Sequence, residues 1–497
     1  MIYINTLSRK KLSMLSGLLV GLSYPPGLGI IALFGLVPIL RVWLTTSPKS
    51  SLKYSFLSSI VCSTVSLYWI GLNSGASITP VIISLIAAIL YLSIFWLITG
   101  YSISWMKKKY SKTIYVIPFL WVGMEFLKSY GPLAFPWSNL ALTQSNFLPI
   151  LQIIDHTGSE GVSFWVILVN INIYLILYGK QRKYKEYTIL AFLIIAPILY
   201  GLIKINSFNE QLWEKRFISI IQPNIDPNLK WESSYRDELY GEMDSLNALA
   251  YDLKSDLVLW PEAALPNYMR VSYIRKKYEK LVQETSKPVL MGTLDYKTVK
   301  NTRISLNGSI FFDGSTKNKM YHKLFLVPFA EYIPLSPKFP ILNNLNFGQG
   351  NFIQGEEHTL FNLDSIFFSN LICYDLSNPL IVKDFIKRGA RFLTVQANIA
   401  WLQNSSGVRQ FFEMAKLRAV ENRTGIALSA NTGISGIINP LGEVVHKIHY
   451  NKQEVINGEV FLNNEVTFYS KYGNIFSKIC FFINLICFAL IKLKRLR

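Results

Sequence analysis

Residues 366–375 read IFFSNLICYD, an apolar run that ends at Cys373 and leads into a polar turn before Pro379. Short apolar runs bounded by turn-forming residues are typical of buried β-strands. A strand that ends in a turn at a cysteine can present the thiol at the edge of a sheet, as elbow-type nucleophile sites do. Cys373 is therefore a candidate nucleophile, although a lone cysteine is more often a buried apolar residue.

The same alternation of short β-rich runs and amphipathic helices extends from Arg216 to about Phe468 and predicts an α/β domain. The predicted strands lie at 217–222, 255–260, 288–293, 309–313, 366–374, 391–396, 426–430 and 434–439. The predicted helices lie at 233–252, 270–285, 379–388 and 407–422.

Two further strings in this domain contain polar residues that could carry chemistry. WPEAALP at 260–266 places Glu262 at the end of a β-run, and YHKLFLVPFAEYIP at 321–334 surrounds Lys323 and Glu331 with apolar residues. Taken alone, Glu262 could equally be an exposed turn residue, and Lys323 a surface lysine with a buried stem. Within one site, Glu262 could act as a general base and Lys323 could stabilise the negative charge of a tetrahedral intermediate.

Two ways of activating Cys373 remain open at this point. A nearby Lys323 ammonium would favour the thiolate and lower the thiol pKa from its reference value of ~8.5. Alternatively, Glu262 would take the proton during the attack. Both require that the three residues lie in one site.

The rest of the chain is too apolar for an ordinary soluble protein. Of its 497 residues, 51% are hydrophobic, and the mean hydropathy is +0.28. Apolar runs close to the roughly 20 residues that cross a bilayer as a helix predict eight membrane spans. They fall at 12–24, 28–44, 54–72, 80–105, 113–127, 161–178, 188–204 and 474–491. The chain accordingly divides into a transmembrane domain (1–204), an α/β domain (205–473) and a last span with a basic tail (474–497).

The net charge of +19 is concentrated next to alternate spans. Basic clusters occur at 9–11, 49–53, 107–112, 180–185 and 492–497, whereas Lys and Arg are absent from the loops at 25–27, 73–79 and 129–160. By the positive-inside rule, both termini are cytoplasmic and residues 205–473 lie outside. Nucleic acid is not expected as a partner, because the basic residues mark topology rather than one recognition surface. A cleavable signal peptide at 9–24 is disfavoured, since no small-residue cleavage site follows.

Glu262, Lys323 and Cys373, in this order and each near a predicted strand end or turn, resemble the triad of the carbon-nitrogen hydrolase (nitrilase-like) superfamily. The chain as a whole is similar to the apolipoprotein N-acyltransferase family of bacteria. Besides WPEAALP, YHKLFLVPFAEYIP and ICYD, the similarity includes LYWIGL (67–72), AFPWSNLAL (134–142), IIQPNIDPNLKW (220–231), MAKLRAVENR (414–423) and SANTGISGIINPLGEV (429–444).

This resemblance implies a periplasmic αββα sandwich attached to a multi-pass domain in a bacterial inner membrane. Cys373 would attack an ester of a membrane phospholipid, typically phosphatidylethanolamine, and form a thioester. The α-amino group of the N-terminal diacylglyceryl-cysteine of an apolipoprotein would then attack the thioester in a ping-pong reaction. Glu262 would serve as general base and acid, while Lys323 and the backbone N–H of Tyr374 would stabilise the oxyanion. No cofactor and no metal are expected.

The resemblance also implies substrate-binding roles for Trp231, Glu331, Tyr374 and Asp375. On residue type alone, Trp231 could be a packed aromatic side chain and Glu331 a structural ion-pair partner. Three positions depart from the family pattern without removing a triad member: Asp375 replaces the usual Glu, Ile399 a common Asp, and Ala330 a common Gly.

Two other functions remain open from the sequence. A membrane-tethered amidase or nitrilase would use the same triad with water as the acceptor. A transporter or scaffold would instead use charges embedded in the spans, of which Glu125 and Lys128 are the main pair. Residues 341–350 could form a mobile lid near lipid, although an ordinary surface loop is the simpler interpretation.

Overall fold

The computed structural model describes residues 7–179, 183–270, 273–299, 301–315, 317–336, 338–341 and 351–493. The loop predicted at 341–350 lies outside the described residues except for Ile341. The chain forms two compact units. The helical unit comprises Met1–Gly71, Val81–Phe208 and Asn474–Arg497, and the α/β unit comprises Leu72–Pro80 and Asn209–Gly473.

The α-helices are, in chain order, α1 (Arg9–Ser23), α2 (Ala32–Gly35), α3 (Val37–Thr45), α4 (Pro48–Leu67), α5 (Ile78–Lys107), α6 (Ile117–Lys128), α7 (Leu148–Leu151), α8 (Ile154–Thr157), α9 (Ser159–Tyr178), α10 (Lys183–Asn206), α11 (Arg236–Asp252), α12 (Tyr273–Thr285), α13 (Pro379–Lys387), α14 (Ser406–Asn422), α15 (Phe468–Tyr472) and α16 (Ile475–Leu493). Short 3-10 helices occur at Gly29–Ile31, Tyr68–Leu72, Thr113–Val116, Pro136–Ser138, Leu140–Gln144, Glu210–Leu212, Leu229–Trp231, Ser233–Tyr235, Cys373–Ser377 and Ala400–Leu402.

Five helical segments in the described part of the chain are long and apolar enough to cross a membrane. They are Pro48–Leu72, Ile78–Lys107, Ser159–Tyr178, Lys183–Asn206 and Ile475–Leu493, and each overlaps a predicted span. The predicted spans at 12–24, 28–44 and 113–127 contain shorter helices, among them α1 with 15 residues and α6 with 12. The total of eight spans therefore stays a prediction.

The apolar run at 28–44 forms two short helices rather than one. The break falls at Leu36, and Pro38 lies in the first turn of the next helix, where its missing N–H cannot donate to the carbonyl oxygen of Phe34 in the preceding one. Asn170 on α9 stabilises the broken backbone, because its side chain accepts a hydrogen bond from Leu36 N at 2.9 Å and donates one to Ala32 O at 2.7 Å. A buried polar side chain thus satisfies the backbone groups that the break exposes.

The strands are β1 (Lys215–Gln222), β2 (Leu257–Leu259), β3 (Val289–Val299), β4 (Thr302–Phe312), β5 (Lys319–His322), β6 (Phe361–Leu363), β7 (Ile366–Ile372), β8 (Leu393–Ala397), β9 (Ile426–Ala430), β10 (Ser435–Ile438), β11 (Val444–Ile448) and β12 (Glu454–Phe461). They form two six-stranded sheets with the orders β12-β1-β2-β3-β4-β5 and β11-β10-β9-β8-β7-β6. All eight predicted strands and all four predicted helices of this unit are present, whereas β5, β6, β11 and β12 were missed.

The two sheets face each other, and helices cover their outer faces. On the first sheet, α11 and α12 pack over a buried cluster that includes Met243, Trp260 and Tyr278. Between the sheets, Phe311 of β4 contacts Phe368 of β7 with ring centroids 5.3 Å apart. On the second sheet, α14 packs against β10. The α/β fold predicted for this region is confirmed, with its layers in the order helix, sheet, sheet, helix.

Candidate active site

The three residues predicted to carry chemistry lie at the carboxyl ends of strands in the α/β unit. Glu262 follows β2, Lys323 follows β5 and Cys373 follows β7. The structure brings them together: Nζ of Lys323 lies 3.6 Å from Oε1 of Glu262, and both charges act on the Cys373 thiol. A carboxylate, an ammonium group and a thiol therefore meet in one site.

Glu262 is held in place by two hydrogen bonds. It is 6% exposed and lies in a turn where the next residue, Ala263, has φ +43°. Its Oε1 accepts a hydrogen bond from Nδ2 of Asn307 at 2.7 Å, and its Oε2 accepts one from the backbone N–H of Asn398 at 2.7 Å. Because both oxygens are already oriented, the carboxylate can exchange a proton with a neighbour without first reorganising.

Lys323 is 1% exposed and paired with carboxylates. Its Nζ donates to Oε1 of Glu331 at 2.7 Å, and Oε2 of Glu331 accepts from Val327 N at 2.8 Å. Burial alone lowers the pKa of Lys323, but the charges of Glu331 and Glu262 outweigh it and hold the pKa above its ordinary value. The site therefore contains a permanent buried ammonium group.

Cys373 begins the 3-10 turn Cys373–Ser377 with φ +47°, a conformation that non-glycine residues rarely adopt. The residue as a whole is partly exposed. Burial raises the pKa of the Cys373 thiol well above its ordinary value, the Glu262 carboxylate adds to the increase, and Lys323 only partly offsets it. Lys323 thus lowers this pKa, as expected, but its effect is outweighed, and the net pKa lies above rather than below the ordinary value. Because the resting thiol is protonated, transfer of its proton to Glu262 during the attack is the alternative that this raised pKa favours.

Asp375 fixes the cysteine turn to the lysine loop. It has no exposed surface, and its Oδ2 accepts from Tyr321 Oη at 2.7 Å and Ile372 N at 2.9 Å. Its Oδ1 accepts from Leu324 N at 3.2 Å and Phe325 N at 2.7 Å. Burial raises the pKa of Asp375 to about 6. The shorter Asp side chain thus spans the gap between the two loops, in the arrangement of a positioning residue.

Two protein-family models match the chain, one over the apolar N-terminal region and one over the α/β region. Residues 16–172 match the apolipoprotein N-acyltransferase N-terminal domain, and residues 217–466 match carbon-nitrogen hydrolase. An apolipoprotein N-acyltransferase of Aquifex aeolicus is 30% identical over 460 residues, which cover 89% of this chain and 97% of the relative. The chain belongs to the apolipoprotein N-acyltransferase family. A member of this family from Geobacter metallireducens is 29% identical over 484 residues, covering 94% of this chain and 92% of the relative.

Among solved structures, the similar chains include Nit3 of Saccharomyces cerevisiae, described as a member of branch 10 of the nitrilase superfamily. Its TM-score is 0.37 at 17% identity, over 54% of this chain and 98% of that chain.

Two of the remaining predicted residues of this family member, Tyr374 and Trp231, differ in exposure. Tyr374 is buried and stacks on Phe325, with ring centroids 4.9 Å apart and planes inclined by 7°. Trp231 ends the turn Leu229–Trp231 and is 50% exposed. An exposed aromatic ring is available to a ligand, so the alternative of a packed Trp231 does not hold.

Sequence reasoning missed three residues of the site in this apolipoprotein N-acyltransferase family member. Asn307 on β4 donates to Glu262 and lies 3.5 Å from Oε1 of Glu331. Asn398 contributes only its backbone N–H, for which the sequence gives no signal. Lys230 is 2% exposed, and the negative charge of Glu262 acts on its ammonium group. Lys230 directly precedes Trp231 in the string IIQPNIDPNLKW (220–231), and this position is the signal that could have identified it.

Proposed function

We propose that the protein transfers an acyl chain from a membrane phospholipid, such as phosphatidylethanolamine, to the α-amino group of the N-terminal diacylglyceryl-cysteine of apolipoproteins. The transfer proceeds through a thioester on Cys373. The observation that supports this proposal is the meeting of Glu262, Lys323 and Cys373 in one buried site of a family member with apolar helices. Membership of the apolipoprotein N-acyltransferase family supports the choice of acceptor.

In the first half-reaction, Sγ of Cys373 attacks the carbonyl carbon of a phospholipid ester, and Glu262 takes the thiol proton. The negative charge that develops on the carbonyl oxygen is stabilised by Lys323 and by the backbone N–H of Tyr374. When the intermediate collapses, the bond to the glycerol oxygen breaks. Glu262 returns the proton to that oxygen, so a neutral alcohol leaves on the lysophospholipid.

In the second half-reaction, the α-amino group of the acceptor attacks the thioester carbonyl. Glu262 takes one proton from the attacking amine and delivers it to the departing sulfur of Cys373. An amide and the free thiol result, and the enzyme regains its starting protonation state. A thiol with a raised pKa suits this sequence, because proton delivery and bond breaking can occur together.

We place the active site at the outer surface of a bacterial inner membrane, with the α/β domain (205–473) in the periplasm. Eight spans, seven within 1–204 and one within 474–497, leave both termini in the cytoplasm. The alternation of basic clusters with loops that lack Lys and Arg supports this orientation. Both substrates are anchored in lipid, so a site at the surface avoids exposing acyl chains to water at ~0.8 kcal/mol per CH₂. Trp231, Glu331 and Tyr374 line the route of the substrates, while Asp375 positions the turn.

The proposal is tested with purified full-length protein and phosphatidylethanolamine labelled in its acyl chains. We expect a hydroxylamine-sensitive label on the wild type, none on Cys373→Ala, and release of the label to a synthetic diacylglyceryl-cysteine peptide. Cys62→Ala is the matched control, because Cys62 is a buried cysteine of the helical unit. Equal labelling of Cys373→Ala would show that Cys373 is not the nucleophile. Transfer of the label to water alone would indicate a hydrolase.

A further inference from the structure

A second buried lysine lies next to the active site and takes no part in the mechanism above. Lys230 belongs to the turn Leu229–Trp231 and is 2% exposed, and its backbone N–H donates to Asp226 O at 3.1 Å. Glu262 is the charge that acts on its ammonium group. Lys230 and Lys323 therefore approach the same carboxylate from two different loops.

The loop of Lys230 is tied to Glu262 by a series of hydrogen bonds. The backbone N–H of Ile225 donates to Oδ1 of Asn431 at 3.1 Å, and Nδ2 of Asn431 donates to Oδ1 of Asn398 at 3.2 Å. Asn398 in turn donates its backbone N–H to Oε2 of Glu262 at 2.7 Å. The start of the Lys230 loop, at Ile225, is thus fixed relative to the Glu262 carboxylate.

Unlike Lys323, Lys230 forms no ion pair with a carboxylate among the described residues. Within the described residues, its Nζ donates no hydrogen bond, and no carboxylate oxygen lies within 4.0 Å of it. Its one close aromatic neighbour is the ring of Trp231, whose centroid is 5.9 Å from Nζ, near the outer limit of a cation–π contact. Burial lowers the pKa of Lys230 to about 8, and Glu262 only partly offsets the effect. A buried ammonium group without a partner is unfavourable, and an anionic ligand would remove the penalty.

We infer that Lys230 binds the phosphate group of the acyl donor. This inference rests on the proposed function, in which Glu262 protonates a glycerol oxygen of the phospholipid. In the donor, only glycerol carbon atoms separate that oxygen from the phosphate ester. Lys230 belongs to a loop that is tied to Glu262 through Asn431 and Asn398, so we assign its ammonium group to the phosphate that follows the reacting ester.

This assignment makes Lys230 specific for one half of the reaction. The diacylglyceryl-cysteine acceptor has no phosphate, so Lys230 would select the donor and affect the second half-reaction much less. It also explains why an unpaired ammonium group is retained in a site that already contains Lys323. The first lysine stabilises the oxyanion, and the second recognises the headgroup.

The test compares two donors with identical labelled acyl chains, phosphatidylethanolamine and phosphate-free diacylglycerol, in mixed micelles with the full-length enzyme. The rate of hydroxylamine-sensitive labelling of Cys373 is measured. We expect the wild type to prefer the phospholipid by about tenfold or more, as for one hydrogen bond to a charged group. Lys230→Gln should lose most of this preference by slowing only the phospholipid reaction, and Lys230→Arg should retain it. Lys280→Gln, at an exposed lysine of α12, is the matched control.

Equal slowing of both donors in Lys230→Gln would indicate a structural role and overturn the inference, as would an unchanged donor ratio. Inhibition of the wild type but not of Lys230→Gln by inorganic phosphate, together with an unchanged donor ratio, would assign the residue to a free anion instead. A separate measurement starts from enzyme acylated with an activated ester and follows transfer to the peptide acceptor. Lys230→Gln should slow this transfer much less than it slows labelling by the phospholipid. If wild-type Cys373 formed no thioester from either lipid, the proposed function itself would fail.

Discussion

Nζ of Lys323 lies 2.7 Å from Oε1 of Glu331, and both side chains are buried. The other oxygen of Glu331 accepts a hydrogen bond from Val327 N, so one carboxylate both orients the ammonium group and closes the loop between the two residues. Glu262 lies farther from Nζ, at 3.6 Å. Glu331 is therefore the main counter-charge of Lys323, which leaves Glu262 available for proton transfer.

Replacing Glu331 with Gln should lower kcat at least tenfold while changing the donor KM much less. The substitution keeps the shape but removes the main counter-charge, and breaking a buried ion pair costs about 3–5 kcal/mol. With one carboxylate fewer, the pKa of Lys323 should fall, so the alkaline limb of the pH–rate profile should move to lower pH. A variant that lost activity with an unchanged alkaline limb would show that Glu331 acts on the loop alone.

Asn307→Ala should reduce turnover because it removes the donor that orients Oε1 of Glu262 at 2.7 Å. The free oxygen would turn toward Lys323, where a tighter ion pair makes a weaker base. We expect a loss of about 10²-fold in kcat, in the range of general acid–base contributions. Asn457→Ala is the control, since it removes hydrogen bonds to Ser219 and Lys254 away from the site. Equal activity losses in the two variants would count against orientation of Glu262.

The elements that sequence reasoning found are those whose side-chain pattern is local. The strand at 366–372 and the helix at 406–422 are bounded by turns and buried along their length, so periodicity reveals them. The missed strands are of two kinds. β5 and β6 are too short to show a period. β11 and β12 mix charged and apolar residues, because β11 is mostly exposed and β12 is only partly buried over its first half.

The chemistry of the site was predictable only as far as it depends on residue type. Glu262 and Cys373 lie at or near the ends of predicted strands, whereas Lys323 follows the short strand β5, which was not predicted. Whether the pKa of Cys373 lies above or below its ordinary value depends instead on distances and burial. The effect of Lys323 alone predicts a lowered pKa, whereas burial and Glu262 together raise it. The backbone N–H of Asn398 could not be predicted at all, because any residue would supply it.

Glu262→Gln should increase the alkylation rate of Cys373 by iodoacetamide while abolishing acyl transfer. The Glu262 charge raises the thiol pKa, so its removal increases the thiolate fraction at a given pH, by up to about tenfold per pKa unit. Acyl transfer nevertheless fails because the proton acceptor is missing. Mass spectrometry of the modified peptide, in a background without Cys62, Cys480 and Cys487, isolates the reaction. Slower alkylation would mean that Glu262 activates the resting thiol.

Gly292→Ala should inactivate the enzyme by displacing Glu262. Gly292 on β3 faces the turn after β2, and an added Cβ would lie 2.7 Å from the Cα of Glu262 and would overlap the carbonyl oxygen of Pro261. Gly241→Ala on α11 is the matched control, because a Cβ there meets nothing within 4 Å. The control should be active and more stable by roughly 0.5–1 kcal/mol. An active Gly292→Ala enzyme would contradict the close approach.

Lys230→Met should stabilise the protein at neutral pH. The folded-state pKa of Lys230, lowered to about 8, lies below that of an unfolded lysine near 10.4, so its charge opposes folding below pH 8 and the penalty disappears as the pH rises toward 10.4. At about 1.4 kcal/mol per pKa unit, the variant should gain about 1–3 kcal/mol at pH 7 and little at pH 10. Thermal unfolding of both proteins across this range, with Lys280→Met as an exposed control, measures the difference. A variant less stable than the wild type at pH 7 would show that the ammonium group is already neutralised within the protein. If Lys230→Met is more stable than the wild type and also loses the phospholipid preference, the protein keeps Lys230 for ligand binding although its charge opposes folding.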